Sequence, residues 1–447
     1  MSVSPARAAA FDILLRVERT DSYASELLHA SPCAGLSTPD HGLATELVMG
    51  VLRWRSLLDA AIAQVSSQRI ERLDVEVLTA LRLGAYQLGW LDRVPARAAI
   101  HESVELVKRA RKRSAAPFAN AILRKLAQAP AGLPSRDELT PPVSSMEALA
   151  GATAHPQWLI RRWVSEFGPD VARRICLHDQ SIPGTAIRLR SATAEEEIRR
   201  EGIELGPGAL FSNARRVVSG DVTTTKAFAE GKVAIQDEAS QLVAALVGQG
   251  SRILDGCAAP GGKTWAIADR NPEATIVAAE LHAHRAELLR KRVSARNVQV
   301  ITGDLRHLPV GELFERVLVD VPCSGTGTLA RNPEIKWRLK PDDLDDLHSR
   351  QIQILQSAMQ HVAAGGRLIY STCSLEPEEN EAVIAEALLG GKSFQLLEAL
   401  PDLERLHINR ELIVEDLSSM IHGSFVRTIP GSQRCDGFFV ALFERIA

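Results

Sequence analysis

Residues 317–328 read VLVDVPCSGTGT. Val317, Leu318 and Val319 are apolar and β-favouring, so with Asp320 they read as a buried strand. Pro322 ends it, because proline has no N–H to give to a sheet ladder. Cys323 follows in a loop loosened by Gly325 and Gly327. An acid at a strand end, with a thiol in the next turn, is where an α/β enzyme places its chemistry. Position alone makes Cys323 a candidate nucleophile.

The surrounding chain repeats the pattern. After about residue 236 a helical stretch (236–247) leads into a strand at 251–255. Further strand-like runs are TIVAAE ending at Glu280, VQVI ending at Ile301, ERVLVD ending at Asp320 and GRLIYST ending at Thr372. Helical patterns lie between them. Strand alternating with helix predicts a Rossmann-like, doubly wound sheet with its site at the strand C-termini. Two more strand candidates, 425–429 and 437–443, are close enough to pair as an antiparallel edge.

The first turn of that sheet is Asp255-Gly256-Cys257-Ala258-Ala259-Pro260-Gly261-Gly262-Lys263-Thr264. Small residues let backbone approach a ligand, and the next helix N-terminus favours an anionic group. The turn is neither GxGxxG nor a P-loop. By itself it is also what any tight strand-to-helix connection looks like. Its weight comes from the acids downstream of it. Glu280 ends the second strand, where a carboxylate can hold a ribose diol. Asp304 comes after the third strand, where it can accept from an adenine amino group. Asp320 ends the fourth. An acid at each successive strand end suits an adenosine cofactor with a carboxylate of its own, S-adenosylmethionine. Cys373, in Tyr370-Ser371-Thr372-Cys373-Ser374, puts a second thiol at a neighbouring strand end. A free cysteine alone is usually a small buried hydrophobe; two beside a nucleotide-like site ask for a chemical explanation.

Upstream, residues 1–127 read as helices. Phe11, Leu14, Leu15 and Val17 form one apolar stripe. Leu43, Leu47, Val48, Val51 and Leu52 form another, after Thr38-Pro39-Asp40. Several amphipathic helices with short connections make a bundle. At one helix end stands KRARKR, residues 108–113. Such a run is either a solvated helix end with favourably placed cations or a set of phosphate contacts. Residues 128–155, rich in Pro, Gly and Ser, read as a linker. Residues 156–235 read as a small α+β region, with Trp158 and Trp163 on an apolar helix face and therefore in a core. Residues 236–447 complete the chain as its catalytic domain.

The 447 residues are enough for more than one domain. A hydrophobic share of 45% and a charged share of 24% are ordinary for a soluble protein. A net charge of -3 excludes a uniformly basic coat but not a local basic patch. The cysteines Cys33, Cys176, Cys257, Cys323, Cys373 and Cys435 are scattered, with no CxxC pair and no metal-ligand spacing. No metal and no disulfide framework are expected. The beginning MSVSPARAAAFDILLRV has no positive segment followed by an apolar block, so no signal peptide is expected. No apolar run approaches the ~20 residues that span a bilayer. A cytoplasmic chain with reduced thiols is the expectation.

DGCAAPGGKT, DVPCSGTGT, ARNPEIKW and YSTCSLEPEENE resemble the RNA cytosine-5 methyltransferases of the Nop2/Sun class. LRLGAYQLGWLDRVPARAAIHESVELVKRA and APFANAILRKL resemble the NusB RNA-binding module, which is fused in front of the bacterial RsmB/Sun (Fmu) type. Gly256 stands where many relatives carry a bulkier residue, and Glu280 where aspartate is frequent. The resemblance implies a NusB-like bundle, an RNA-binding middle region and a class I methyltransferase domain with a mostly parallel seven-stranded sheet. It implies a cytidine of 16S rRNA, free or in a small-subunit assembly intermediate, as the substrate. A monomer is the default expectation, since no sequence feature sets the oligomeric state.

It also implies roles. Carbon 5 of cytosine is a poor nucleophile until a thiolate adds at carbon 6, and such a thiol needs surroundings that favour the thiolate. The TCS cysteine, Cys373, is the implied nucleophile, and Cys323 assists the later elimination. Asp320 holds the base by its amino edge. Cofactor contacts carry over to Cys257, Ala258, Ala259, Pro260, Gly261, Gly262, Lys263, Glu280, Asp304 and Asp320. The target base must leave its stack to reach these groups. Two enzymatic alternatives are a DNA cytosine-5 methyltransferase, with Pro322-Cys323 as its nucleophile motif, and a methyltransferase of another RNA such as tRNA. A catalytically silent RNA-binding or ribosome-assembly protein is the alternative from another class, and it would need neither thiol.

Overall fold

The computed structural model describes residues 3–30, 33–128, 145–293, 295–309, 311, 313–389 and 393–446. The chain divides into two compact units. One holds Met1–Ile182 with Leu329–Arg338, the other Pro183–Thr328 with Leu339–Ala447.

The first unit is helical. Its main helices are Pro5–Arg19, Thr38–Arg53, Arg55–Val65, Val75–Trp90, Ala96–Arg109 and Ala116–Gln128. Their apolar stripes meet in one core that includes Phe11, Leu14, Leu47, Leu58, Tyr86 and Leu123. Proline enters without cost at the first turns of Pro5–Arg19 and Thr38–Arg53, where the missing N–H has no helical partner. Ser37 caps the second of these helices by accepting from the Asp40 N–H.

Three further helices, Met146–Thr153, Gln157–Phe167 and Pro169–Gln180, belong to this unit. The first lies within the stretch expected as a linker, whose residues 129–144 are outside the described ones. The region expected at 156–235 is thus divided after Ile182, because its helices bury Leu159, Ile160, Trp163 and Ile175 while its strands have a core of their own. Trp163 is buried as expected, and Trp158 is half-buried.

Of the basic run, Lys108 pairs with Glu105 at 2.7 Å, Arg109 with Asp12 at 2.7 Å and Lys112 with Asp74 at 3.0 Å. Arg111 and Arg113 are exposed and make no ion pair among the described residues.

Leu329–Arg338 folds with the helices although the chain on either side of it belongs to the other unit. Helix-end chemistry explains the docking. Glu334 accepts from the Ala24 N–H at 2.8 Å, at the start of helix Ala24–Leu28. Lys336 donates to the Arg53 and Ala154 carbonyls, at 3.0 Å each. Arg338 donates to the Val17 carbonyl at 2.7 Å. An acid meets a helix N-terminus, and cations meet carbonyls at or next to helix C-termini.

The second unit contains two sheets. Strands β1 (Thr185–Leu189), β2 (Glu204–Pro207), β3 (Ala214–Ser219) and β4 (Val233–Ile235) form an antiparallel sheet in the order β2-β3-β1-β4. Arg188 and Arg190, in the AIRLRS segment, both pair with Asp269, and Arg190 lies over the Trp265 ring at 4.0 Å.

The larger sheet has strands β5 (Arg252–Asp255), β6 (Thr275–Glu280), β7 (Val298–Thr302), β8 (Phe314–Asp320), β9 (Val362–Thr372), β10 (Phe394–Leu397), β11 (Ile421–His422), β12 (Phe425–Thr428) and β13 (Phe438–Arg445). Their order is β11-β12-β13-β9-β8-β5-β6-β7, with β10 paired to β13. Strands β5 to β9 run parallel. Strands β10 to β13 join antiparallel.

Among the described residues nine strands stand where seven were expected, because the short β10 and β11 add to the antiparallel side. The expected tail pair forms as β12 and β13, but β13 is internal, between β12 and β9. Both sheet faces are covered. Leu318, Ile253 and Ile369 point into one core; Val317, Val319, Leu254, Leu368 and Tyr370 point into the other. This period of two makes VLV a buried run rather than an alternating one. No helix is long and apolar enough to cross a membrane among the described residues.

Candidate active site

The order β9-β8-β5-β6-β7 brings five strand ends to one edge, so residues far apart in sequence become neighbours there. The turn after β5 passes through Gly256, where an added Cβ would lie 2.5 Å from Leu305 Cδ2 and 3.1 Å from Val319 Cγ1. In this chain a bulkier residue would have no room. Asp255 is buried, and its Oδ2 accepts from Thr264 Oγ1 at 2.7 Å. Burial pushes its carboxyl up to about 6, against the Thr264 hydrogen bond and with help from Asp320.

Cys257 lies at the centre of the strand-end acids. Burial first, and then the charges of Asp255, Asp320, Glu280 and Asp304, push its thiol upward. The acids predicted from the strand ends therefore do converge. Glu280 is buried and accepts from the His282 N–H at 2.8 Å. Asp304 faces Arg306, which donates from its backbone N–H at 3.0 Å and its guanidinium at 2.6 Å. The Arg306 hydrogen bonds hold the Asp304 carboxyl below the usual range. Among the described residues, no group of three or more His, Cys, Asp or Glu side chains is placed to hold a metal ion.

Asp320 joins the two halves of the edge. Its Oδ2 accepts from Lys263 Nζ at 2.7 Å and its Oδ1 from Ser371 Oγ at 2.7 Å. Burial draws the Lys263 ammonium down, but Asp320 outweighs it and the net shift is upward. The ammonium also lies 4.7 Å from the Phe438 ring centroid, a favourable cation–π distance. Lys263 is thus a fixed positive charge between the small-residue turn after β5 and the loop carrying Cys323.

Asp320 stands opposite Ser371 in the parallel β8–β9 register. That register brings the loops beyond both strands side by side. Cys323 and Cys373 come together with their sulfurs 3.2 Å apart, and the Cys373 N–H donates to Cys323 Sγ at 3.3 Å. The hydrogen bond to Cys373, then burial, then nearby negative charge push the Cys323 thiol well up. Gly327 closes the loop. Its N–H donates to the Cys373 carbonyl at 2.9 Å, and its carbonyl accepts from the Gly437 N–H at 2.7 Å.

The strand-end acids, the turn after β5 and the two thiols singled out from sequence lie on this one edge. Others there escaped notice: Ser371, Gly437 and Phe438 at the site itself, and Ser324, Gln351, Ser374 and Glu379 behind the thiols. Phe438 and Gly437 read as ordinary strand residues. Ser324 and Ser374 did carry a signal, because each directly follows one of the two cysteines.

A pair of thiols beside a ring of strand-end acids belongs to a Rossmann-like methyltransferase domain, here in a chain that also carries a NusB-like helical unit. Known proteins agree. The family model for 16S rRNA methyltransferase RsmB/F matches residues 244–444, and that of the NusB family matches residues 4–128. The chain is 33% identical over 462 aligned residues, covering 100% of both chains, to the Bacillus subtilis (strain 168) protein described as "Probable ribosomal RNA small subunit methyltransferase B". It is 31% identical to "Ribosomal RNA small subunit methyltransferase B" of Vibrio cholerae, over 98% of this chain and 97% of that one. The crystal structure of PH0851 superposes with a TM-score of 0.80 at 24% identity, covering 100% of each chain. The chain belongs to the RsmB/F methyltransferase family, and its methyl donor is S-adenosylmethionine.

Proposed function

We propose that this protein methylates carbon 5 of a cytidine in 16S rRNA through a covalent thiol adduct. The observation that carries the reading is the pair of sulfurs 3.2 Å apart beside Asp320. One thiol could serve many chemistries. Two that can touch the same base suit an addition that must later be reversed.

The strand-end residues suit the cofactor. Cys257, Ala258, Ala259, Pro260, Gly261, Gly262 and Lys263 form a small-residue turn at a helix N-terminus. Glu280 and Asp304 supply carboxylate acceptors for a ribose diol and an adenine amino group, and Asp320 borders both cofactor and base. Bound there, S-adenosylmethionine supplies a methyl group on a positively charged sulfur.

Cys373, as the thiolate, adds to carbon 6 and makes carbon 5 electron-rich enough to take that methyl. Asp320 accepts from the cytosine amino group, an acceptor role left open because each of its oxygens takes only one hydrogen bond in the protein. Solvent water then takes the proton on carbon 5, and the electron pair it leaves forms the carbon 5–carbon 6 double bond. The carbon 6–sulfur bond breaks, and its electron pair returns to Cys373. Cys323, its sulfur 3.2 Å away, assists this elimination. The base is flipped out of its stack to reach both sulfurs.

Cys323→Ala tests the cycle. It is expected to accumulate a covalent protein–RNA adduct on a denaturing gel, with 5-methylcytidine turnover lost. Normal turnover without an adduct would refute the release role. Nucleoside analysis of methylated 16S rRNA and of tRNA decides the substrate. 5-Methylcytidine in tRNA alone would replace 16S rRNA in the proposal.

A further inference from the structure

Glu379 is fully buried, yet none of the steps above uses it. Its Oε1 accepts from the Ser324 N–H at 2.7 Å and from Gln351 Nε2 at 2.9 Å. Its Oε2 accepts from the hydroxyls of both Ser324 and Ser374. Four donors therefore fill both oxygens of one carboxylate. Each serine directly follows a cysteine, Cys323-Ser324 and Cys373-Ser374. The two hydroxyls lie 3.0 Å apart, close behind sulfurs that are 3.2 Å apart. Gln351 also donates to the Pro322 carbonyl at 3.0 Å, just before Cys323. Tyr370 Oη donates to the Glu379 carbonyl at 2.7 Å, which fixes the carboxylate's own backbone to β9.

We propose that Glu379 is a positioning residue that clamps the two cysteine loops together and sets the separation of their sulfurs. It acts through Ser324 and Ser374 and touches no reacting atom. This explains why serine follows both cysteines, a pattern that neither thiol's chemistry requires. A buried carboxylate with all its acceptor sites filled is stiff, because losing any one donor leaves an unsatisfied polar atom. Thiol geometry is unforgiving in return: a misplacement of about 1 Å can cost on the order of 100-fold in rate. The charge of Glu379 also raises the Cys323 thiol, so the clamp favours the protonated form of the assisting sulfur.

The inference rests on Cys373 and Cys323 as the reacting thiols, and its test separates the clamp from that reading. Glu379→Gln keeps the shape but removes the charge and puts an amide N–H where Oε2 stood, so both serine hydroxyls must turn from donating to accepting. In the full-length variant, S-adenosylmethionine binding by calorimetry reports an intact fold and is expected to stay within about threefold of wild type. Turnover on 16S rRNA is expected to fall about 100-fold, with KM for the RNA within about threefold. Independently of RNA, diamide removes two electrons and two protons from a thiol pair and closes a disulfide. Closure between Cys323 and Cys373, followed by peptide mapping, is expected to slow about tenfold in the variant, since a disulfide needs the two side chains aligned. Wild-type rates of both closure and turnover in Glu379→Gln would overturn the clamp. If that variant loses cofactor binding, Ser324→Ala and Ser374→Ala each remove one arm, and wild-type closure in both overturns it equally. Absence of 5-methylcytidine from wild-type reactions would strike the proposed reaction instead, and the closure rates would still judge the clamp.

Discussion

Gly327 shows how little room the site leaves. A Cβ there would lie 2.2 Å from the Gly437 carbonyl oxygen and 2.9 Å from that of Cys373. Gly327→Ala must push the catalytic loop away from β13, and turnover is expected to fall about 100-fold while the cofactor still binds. Calorimetry and single-turnover methyl transfer check the two halves of that statement. At Cys373 the expectation is sharper. Cys373→Ser keeps the size of the side chain but replaces the thiolate with a hydroxyl of far higher pKa. It should bind S-adenosylmethionine normally and transfer no methyl group to RNA. Full activity would remove Cys373 from the mechanism. The sequence placed both cysteines at strand ends, but their division of labour came from family resemblance. Position by itself pointed to Cys323. The structure puts the two sulfurs 3.2 Å apart, which brings both to one base and ranks neither.

At the scale of elements, the basic run and the docked segment behave differently from their first appearance. KRARKR reads as five cations in six residues, yet three are matched by Glu105, Asp12 and Asp74. Glu105 lies in the same helix, whereas Asp12 and Asp74 come from distant stretches of chain, so only folding reveals the pairing. Neutralising Arg111 and Arg113 together is expected to weaken RNA binding and flatten its log–log salt slope by about 1 to 2. Neutralising Lys108, Arg109 and Lys112 should change the slope less. Binding isotherms across a salt series distinguish the two sets.

The docked segment carries a pH signature. Burial first, opposed by Asp179 and reinforced by Arg53, draws Lys336 down from 10.5 to about 7. Cys176 adds an upward pull, and the buried His155 lies within reach of the same ammonium's charge. Through Lys336 the unfolded chain holds more protons than the folded one from pH 7 upward, until above pH 9 the buried Cys176 thiol, raised to about 12, offsets it; stability therefore rises with pH between 7 and 9. The unfolding midpoint of the helical unit should climb roughly 3 °C per pH unit between pH 7 and 9, and Lys336→Met should flatten the rise. Calorimetry at a series of pH values tests it.

For the whole molecule, the consequence of Leu329–Arg338 is that a cut at the boundary between units is not clean. A fragment beginning at Pro183 would keep Glu334, Ile335 and Lys336 but lose the helix ends that bury them. It is expected to aggregate or to unfold well below the full chain, and scanning calorimetry beside light scattering reads the difference. Domain division by composition missed this, since ARNPEIKW sits beside the catalytic loop in sequence and nothing local marks it as belonging elsewhere.

By itself the sequence determined the alternation of strand and helix, the acids at successive strand ends, the small-residue turn and the two thiols. These are local patterns, written in periodicity and residue type. Only the tertiary structure decided that β8 and β9 lie side by side with Asp320 opposite Ser371, and that one buried carboxylate holds both cysteine loops. It also decided that the basic run is largely neutralised, and that a short stretch beside the catalytic loop folds with the helices. The physical reason is the same in each case: buried charges and hydrogen bonds are satisfied by whichever partners packing brings close, and most of those partners lie tens to hundreds of residues away.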